Sequence, residues 1–285
     1  MEGINSWLDV QKNIQHSIAH LYNAEEAREI AFFLIQELFG FNKSKVLASE
    51  KADLSQDDFN KLITSIVELK KGVPIQYVIG HSYFLDNKII VNPSVLIPRP
   101  ETEELVLKSM ALIENLKHPK ILDVCTGSGC IAISISKKIP NASVWALDIS
   151  KSAIETAQKT AQHNRTNINF LIADVLKDDW SFEEFDLVIS NPPYVKQSEK
   201  PDILPHVLNH EPEIALFVMD ENPLIFYQAI AQKALKSLKS NGYLAFEINQ
   251  AFGKEMIVLL ENIGFCDVKL FQDMNGKDRM VVGIK

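Results

Sequence analysis

Asn191-Pro192-Pro193-Tyr194 is the stretch whose residue types and order limit the chemistry most sharply. Two consecutive prolines fix the backbone and remove two N–H donors. What remains is a stiff set of acceptors, the Asn191 side-chain oxygen and the Pro192 carbonyl, with Tyr194 adding an aromatic face. That set suits the holding of a planar NH2 group by both of its hydrogens. An amide or aromatic amine nitrogen is a poor nucleophile because its lone pair is delocalised. Accepting both protons orients the group and shifts electron density toward nitrogen as it attacks an electrophilic carbon. In-line placement at about 3 Å and pre-positioned dipoles supply most of the acceleration. No general base is needed beforehand, because the proton becomes acidic only as the bond forms. Asn191, Pro192 and Tyr194 are therefore the candidate catalytic residues. Asn191, Pro192, Pro193 and Tyr194 are the candidate substrate contacts.

A second stretch, Ile121-Leu122-Asp123-Val124-Cys125-Thr126-Gly127-Ser128-Gly129-Cys130-Ile131, reads as a strand, a glycine-rich turn and a helix start. Glycines let the backbone approach a ligand closely, and a helix N-terminus presents N–H groups to an anion. Asp148 follows 19 residues after Gly129, at the end of a second apolar run, where a carboxylate can accept from both hydroxyls of a ribose. Gly127 to Ala132 also satisfies the dinucleotide fingerprint, so the pattern supports a nucleoside-containing cofactor without saying which. Cys125, Thr126, Gly127, Ser128, Gly129 and Asp148 are the candidate contacts. Asp174, after a third run, can accept from an adenine amine, with the Val175 N–H donating to the ring; Asp174 as a helix cap is the rival reading.

The Asn-Pro-Pro-Tyr loop separates the cofactors. A nicotinamide enzyme would leave it idle. The sulfonium methyl of S-adenosyl-L-methionine gives the held NH2 group something to attack, with Asn191 beside both. Cys125, Cys130 and Cys266 lack the spacing of a disulfide framework or a zinc site, and no metal is expected. Cys125 reads as a small side chain in a tight turn rather than a nucleophile, since no base is evident beside it.

These loops need elements to position them. Apolar runs at 120–124, 143–147, 168–172, 185–190, 242–248, 266–271 and 279–284 alternate with helical segments in the earlier part. Such alternation predicts an α/β fold with a mostly parallel, doubly wound, seven-stranded Rossmann-like sheet. The last two runs flank Asp273-Met274-Asn275-Gly276 and should form an antiparallel hairpin, as in the methyltransferase variant of that fold. Ahead of the sheet, residues 5–20 carry apolar side chains at helical spacing. Asn23 should cap a helix over 24–39 that Gly40 closes, and Ser55-Gln56-Asp57-Asp58 should open another running to Lys71. Gln76-Tyr77-Val78-Ile79, Tyr83-Phe84-Leu85 and Lys88-Ile89-Ile90-Val91 suggest a hairpin region turning at Asp86-Asn87. A helix is expected over 101–116. The predicted organisation is a small helical bundle at 1–73, with a protein-facing or a plain stabilising role, a β-hairpin connector at 74–97, and a methyltransferase domain at 98–285.

The net charge of −8 over 285 residues argues against a surface built to neutralise a phosphate backbone. Residues 1–88 carry nine basic and twelve acidic side chains, so the helical front is no obvious nucleic-acid clamp. The first 20 residues lack an apolar signal-peptide region, and no apolar run approaches a membrane span, so a cytoplasmic protein without a membrane partner is expected.

The sequence resembles the release-factor glutamine methyltransferases of the HemK/PrmC type over nearly its whole length. The similarity is carried by Pro74-x-Gln76-Tyr77-x-x-Gly80, Val95-Leu96-Ile97-Pro98-Arg99-Pro100-Glu101-Thr102-Glu103 and Asp123-x-x-Thr126-Gly127-Ser128-Gly129. It continues through Asn191-Pro192-Pro193-Tyr194 and Glu211-Pro212-x-x-Ala215-Leu216. The Ile-Pro-Arg-Pro-Glu-Thr-Glu segment is the most specific, because nucleic-acid amine methyltransferases share the Asn-Pro-Pro-Tyr loop but not that segment. The resemblance implies methyl transfer to the glutamine of the Gly-Gly-Gln motif in class I peptide-chain release factors, leaving S-adenosyl-L-homocysteine. It implies that Asn191 and Pro192 bind the amide, that Tyr194 packs against it, and that the helical front helps dock the factor. It also makes Arg99, Glu101 and Glu103 candidates for ordering the site, beside their plainer reading as a helix start. Cys125 stands where the family often has glycine, His210 where it has an aromatic, and residues 219–223 replace a glycine-rich stretch. His210 reads as a packing residue, and Glu247 is given no role. The alternative is an N6-adenine or other exocyclic-amine nucleic-acid methyltransferase, which would want a basic groove and a recognition insert. A binding module that has lost catalysis would not need both the loop and Asp148 intact.

Overall fold

The computed structural model describes residues 6–180 and 184–285; residues 1–5, at the start of the expected helical domain, lie outside them. Two compact units are present. One runs to Gly80 and includes Leu204–His210; the other comprises His81–Ile203 and Glu211–Lys285.

The first unit opens with α1 (Trp7–Ile18), α2 (Ala24–Phe39), α3 (Lys43–Leu47), α4 (Gln56–Lys70) and α5 (Ile75–Ile79). Ser6 and Asp9 cap α1 reciprocally, each side chain accepting from the other's backbone N–H. Asn23 accepts from Glu25 and Glu26 N–H at the start of α2, and Gly40 closes it in the left-handed conformation. The apolar faces meet in a core of Trp7, Val10, Ile14, Ala31, Leu34, Leu62 and Leu69 among others. Residues 76–79, expected in an extended region, are helical instead. Pro74 opens the turn and left-handed Gly80 ends it, while Ile75, Val78 and Ile79 pack onto the core at helical spacing. With only five residues, the helical period was too short to stand out from alternation.

The second unit begins with the hairpin β1 (His81–Phe84) and β2 (Asn87–Ile90). Its turn lies one residue earlier than expected. Phe84 pairs with Asn87, leaving Leu85 and Asp86 as the turn, at φ 45° and 64°. Asn87 works through its side chain, donating to the Leu85 carbonyl and to Ser134 Oγ, both at 3.0 Å.

Then follow α6 (Pro100–Leu112), β3 (Lys120–Val124), α7 (Cys130–Lys138), β4 (Ser143–Asp148), α8 (Lys151–Asn164), β5 (Ile168–Ile172), β6 (Phe185–Ser190) and β7 (Val195–Lys196). After α9 (Pro205–His210), which belongs to the first unit, come α10 (Glu213–Leu216), β8 (Phe217–Val218), α11 (Ile225–Ser237), β9 (Leu238–Glu247), α12 (Gly253–Ile263), β10 (Cys266–Gln272) and β11 (Asp278–Ile284). The main sheet has seven strands in the order β10-β11-β9-β6-β3-β4-β5. β9, β6, β3, β4 and β5 run parallel, and β11 pairs antiparallel with both β9 and β10. All seven expected strands are present. Strand order reverses at β3, so the carboxyl ends of β3, β4 and β6 open onto one crevice.

Gly129 joins β3 to α7 at φ 80°, and a Cβ there would lie 3.0 Å from both Ala157 Cβ and Ile133 Cδ1. The turn therefore combines a left-handed backbone with tight packing of α7 on α8. Gly129→Ala is expected to lower stability by about 1–3 kcal/mol, read as a shift of the urea midpoint; an unchanged midpoint would show that the turn relaxes freely.

Candidate active site

The crevice at the carboxyl edge is lined by Cys125, Thr126, Gly127 and Ser128 from the loop after β3, and by Asp148 from the end of β4. Asp174, Val175 and Leu176 line it after β5, Asn191 and Pro193 after β6, and Val95, Arg99 and Thr102 from the segment leading into α6. Gly129, Pro192 and Tyr194 do not line it. Gly129 packs behind the loop, Pro192 is buried, and Tyr194 turns its hydroxyl inward.

Asp148 is held across the crevice floor. Its Oδ2 accepts from Gly127 N–H and its Oδ1 from Ser150 N–H, each at 2.9 Å. Burial pushes its carboxyl above the usual range, while these N–H groups counter the shift. Each oxygen keeps a further lone pair for a hydroxyl donor. Asp174 accepts from Leu176 N–H at 2.9 Å and pairs with Lys177 at 3.1 Å. It therefore both lines the crevice and caps the turn that follows it.

Cys125 adopts φ 61°, in the left-handed region that favours glycine. Burial, then the Asp148 carboxylate, push its thiol well up, which keeps it protonated and suits packing better than nucleophilic attack.

Asn191 is oriented by a buried chain of side chains. Its Nδ2 donates to Thr102 Oγ1 at 3.1 Å, and Thr102 Oγ1 donates to Glu247 Oε2 at 2.6 Å. Tyr194 OH donates to the other carboxylate oxygen, Glu247 Oε1, at 3.0 Å. With the nitrogen end of the Asn191 amide committed to Thr102, the oxygen end is left for the crevice. The tyrosine is held further by Asn249, which donates to its carbonyl at 3.3 Å.

Sequence and fold comparisons bear on this arrangement. Residues 103–214 match the methyltransferase small domain, and residues 13–80 match the PrmC N-terminal domain. The release factor glutamine methyltransferase of Flavobacterium psychrophilum is 41% identical over 268 residues, spanning 93% of this chain and 94% of that one. That of Bacteroides thetaiotaomicron is 39% identical over 269 residues, spanning 94% and 96%. The chain belongs to the release factor glutamine methyltransferase family. Solved structures agree on the fold. The catalytic domain of hMettl16 in complex with an RNA hairpin superposes with a TM-score of 0.54 at 14% identity, covering 83% of this chain and 85% of that one. A methyltransferase from Pyrococcus furiosus gives 0.50 at 14% identity, covering 81% and 99%. The protein is a methyltransferase.

Two of the segments that carry the resemblance meet in space. Arg99 donates to Glu211 Oε1 at 2.6 Å, and Ile97 N–H to Glu211 Oε2 at 3.0 Å. Glu103 accepts from Leu85 N–H at 2.9 Å, fastening the β1–β2 turn to α6. His210 does not line the crevice; it belongs to the first unit, where a Cβ on Gly72 would lie 3.8 Å from its Nε2. In the altered 219–223 stretch, Asp220 accepts from Ser198 Oγ at 2.5 Å, while Met219 is exposed. Sequence reasoning did not name Thr102 as a site residue, and it noted Glu247 without giving it a role. Glu247 carried a faint signal, a lone acid inside an apolar strand. Among the described residues no group of three or more His, Cys, Asp or Glu is placed to hold a metal ion.

Beneath the loop, Asp123 is fully buried, and burial pushes its carboxyl up to about 7 despite hydrogen bonds from Thr126 Oγ1 and Ala132 N–H. Its Oδ1 has no partner among the described residues. A carboxyl raised in the folded state stabilises most below the unfolded value of about 3.9, and that contribution is lost as pH rises through about 7. Wild type should therefore lose roughly 2–3 kcal/mol relative to Asp123→Asn between pH 5 and pH 8, measured by urea unfolding. A difference independent of pH would show that Asp123 does not titrate in this window.

Proposed function

We propose that the chain transfers a methyl group from S-adenosyl-L-methionine to the side-chain amide nitrogen of the glutamine in the Gly-Gly-Gln motif of class I peptide-chain release factors. One observation carries the reading most: the Asn191 amide is turned with its nitrogen toward Thr102, so an acceptor oxygen is left for the crevice that Asp148 and the glycine loop also line. The names of the two bacterial relatives supply the substrate.

The crevice suits the cofactor on its own chemistry. Asp148 can accept from the ribose hydroxyls while Gly127 and Ser150 hold it in place. Cys125 to Gly129 bring backbone close to the methionine end at the start of α7, and Asp174 with Val175 faces the adenine. When bound, the cofactor supplies a sulfonium-activated methyl. Asn191 Oδ1 and the Pro192 carbonyl accept one hydrogen each from the glutamine amide, fixing its plane and its approach. Pro193 stiffens the turn, and Tyr194 backs it. The amide proton leaves once the new bond has made it acidic, so no side-chain base is required. Residues 1–73 are read as the docking domain for the release factor, 74–97 as the connector and 98–285 as the methyl-transfer domain. A cytoplasmic location fits a substrate that acts in translation, and no direct nucleic-acid, membrane or metal partner is part of the reading.

Methyl transfer from labelled cofactor should mark a purified class I release factor but neither its Gly-Gly-Ala variant nor duplex DNA. Label on DNA, or on both factor variants, would discard the glutamine assignment. Asn191→Ala is expected to bind the cofactor normally in calorimetry while kcat falls by about 100-fold or more; undiminished turnover would remove Asn191 from this role.

A further inference from the structure

Glu247 lies at the end of β9, 1% exposed, with both carboxylate oxygens spent on the reactive loop and its neighbour. The arrangement has a directional logic. A carboxylate only accepts hydrogen bonds. Thr102 must therefore give its single proton to Glu247 Oε2, and toward Asn191 the same hydroxyl can only accept. Only the nitrogen end of the Asn191 amide satisfies it. The oxygen end is thereby excluded from Thr102. Through its second oxygen the same carboxylate holds Tyr194, so both ends of the Asn-Pro-Pro-Tyr turn are tied to one buried charge.

We infer that Glu247 is a positioning residue for methyl transfer, which sets the direction of the Asn191 amide through Thr102 and holds Tyr194 directly. The inference rests on the proposed role of Asn191 as an acceptor for the substrate amide. Both Glu247 oxygens accept, Oε2 from Thr102 Oγ1 and Oε1 from Tyr194 OH, as the direction argument requires. Arg279 on β11 is a nearby positive charge, itself paired with buried Asp273 at 3.3 Å. Glu101 on α6 is a nearby negative charge, Cys130 on α7 is neutral, and Tyr227 on α11 donates to the Glu247 carbonyl at 3.1 Å. Burial pushes the Glu247 carboxyl up, and the Thr102 and Tyr194 hydroxyls with Arg279 oppose that shift. A carboxyl buried at this cost is explained by the direction that its two accepting oxygens impose on the hydrogen-bond chain.

A glutamine at 247 would offer one acceptor and one donor in place of two acceptors. Either Thr102 or Tyr194 would then have to reverse its hydroxyl. If Thr102 reverses, it donates toward Asn191 and draws the amide oxygen away from the substrate.

The test compares Glu247→Gln, Thr102→Val, Thr102→Ser, the Glu247→Gln/Thr102→Val double variant and Asn191→Ala, each with purified release factor as methyl acceptor and with cofactor affinity measured separately. Glu247→Gln and Thr102→Val should each lower kcat by about 10- to 100-fold while cofactor Kd stays within about threefold. Thr102→Ser, which keeps the hydroxyl, should retain kcat within about threefold. The double variant should be no slower than the slower single one, because both changes break one chain. Full turnover in Thr102→Val, or additive losses in the double variant, would overturn the positioning role. Thr102→Val preserves side-chain shape, so the test stands even if Glu247→Gln fails to fold. Loss of turnover in Asn191→Ala with full turnover in Thr102→Val would defeat this inference alone. Full turnover in Asn191→Ala would defeat the acceptor reading on which it rests.

Discussion

A delocalised amide nitrogen has to be held by its hydrogens, and the acceptors that hold it have to be fixed before it arrives. Most of the larger unit serves that constraint. Five parallel strands bring their carboxyl ends to one edge, and the reversal of order at β3 opens a crevice between loops that are far apart in the chain. The Asn191 turn leaves β6, the glycine loop leaves β3 and Asp148 closes β4. Backbone pairing of β3 with both β4 and β6 sets the distances among them, and buried apolar faces keep that pairing in register.

Within that frame, buried and half-buried acids give the polar groups their orientation. Glu211 collects Ile97 N–H and Arg99, Glu103 collects Leu85 N–H, Asp123 collects Thr126 and Ala132, and Glu247 collects Thr102 and Tyr194. Each carboxylate joins segments that do not share a strand, or stiffens the loop at the end of one. Removing such an ion from water is costly, and replacing it by apolar packing is often stabilising. Their concentration around the crevice therefore reads as a requirement of orientation, met at some expense in stability. The glycine loop shows the same compromise, since Cys125 holds a left-handed conformation that favours glycine.

The first unit rests on different physics. Its helices are capped by Ser6, Asn23, Asn42 and Ser55, and joined by one apolar core. Its character follows from local spacing, so its helices were largely legible in advance. The short α3, α5 and α9 were the exceptions, because five or six residues carry too little periodicity to mark a helical turn.

The sequence by itself determined the seven strands, the closing hairpin, the long helices, the glycine loop with Asp148 at its proper distance, and the Asn-Pro-Pro-Tyr turn. Each is encoded by residues close together in the chain: apolar runs of strand length, a cap followed by a periodic face, a proline pair. Only the tertiary structure decided that the Asn191 amide nitrogen turns to Thr102, that Tyr194 turns inward, that Asp174 both caps and lines, and that Arg99 finds Glu211. The Asn191, Tyr194 and Arg99 outcomes depend on partners 53 to 145 residues apart. Hydrogen-bond direction belongs to the whole network, and Glu247, an acid in an apolar strand with no role assigned from sequence, acquires its meaning only when Thr102 and Tyr194 are folded onto it.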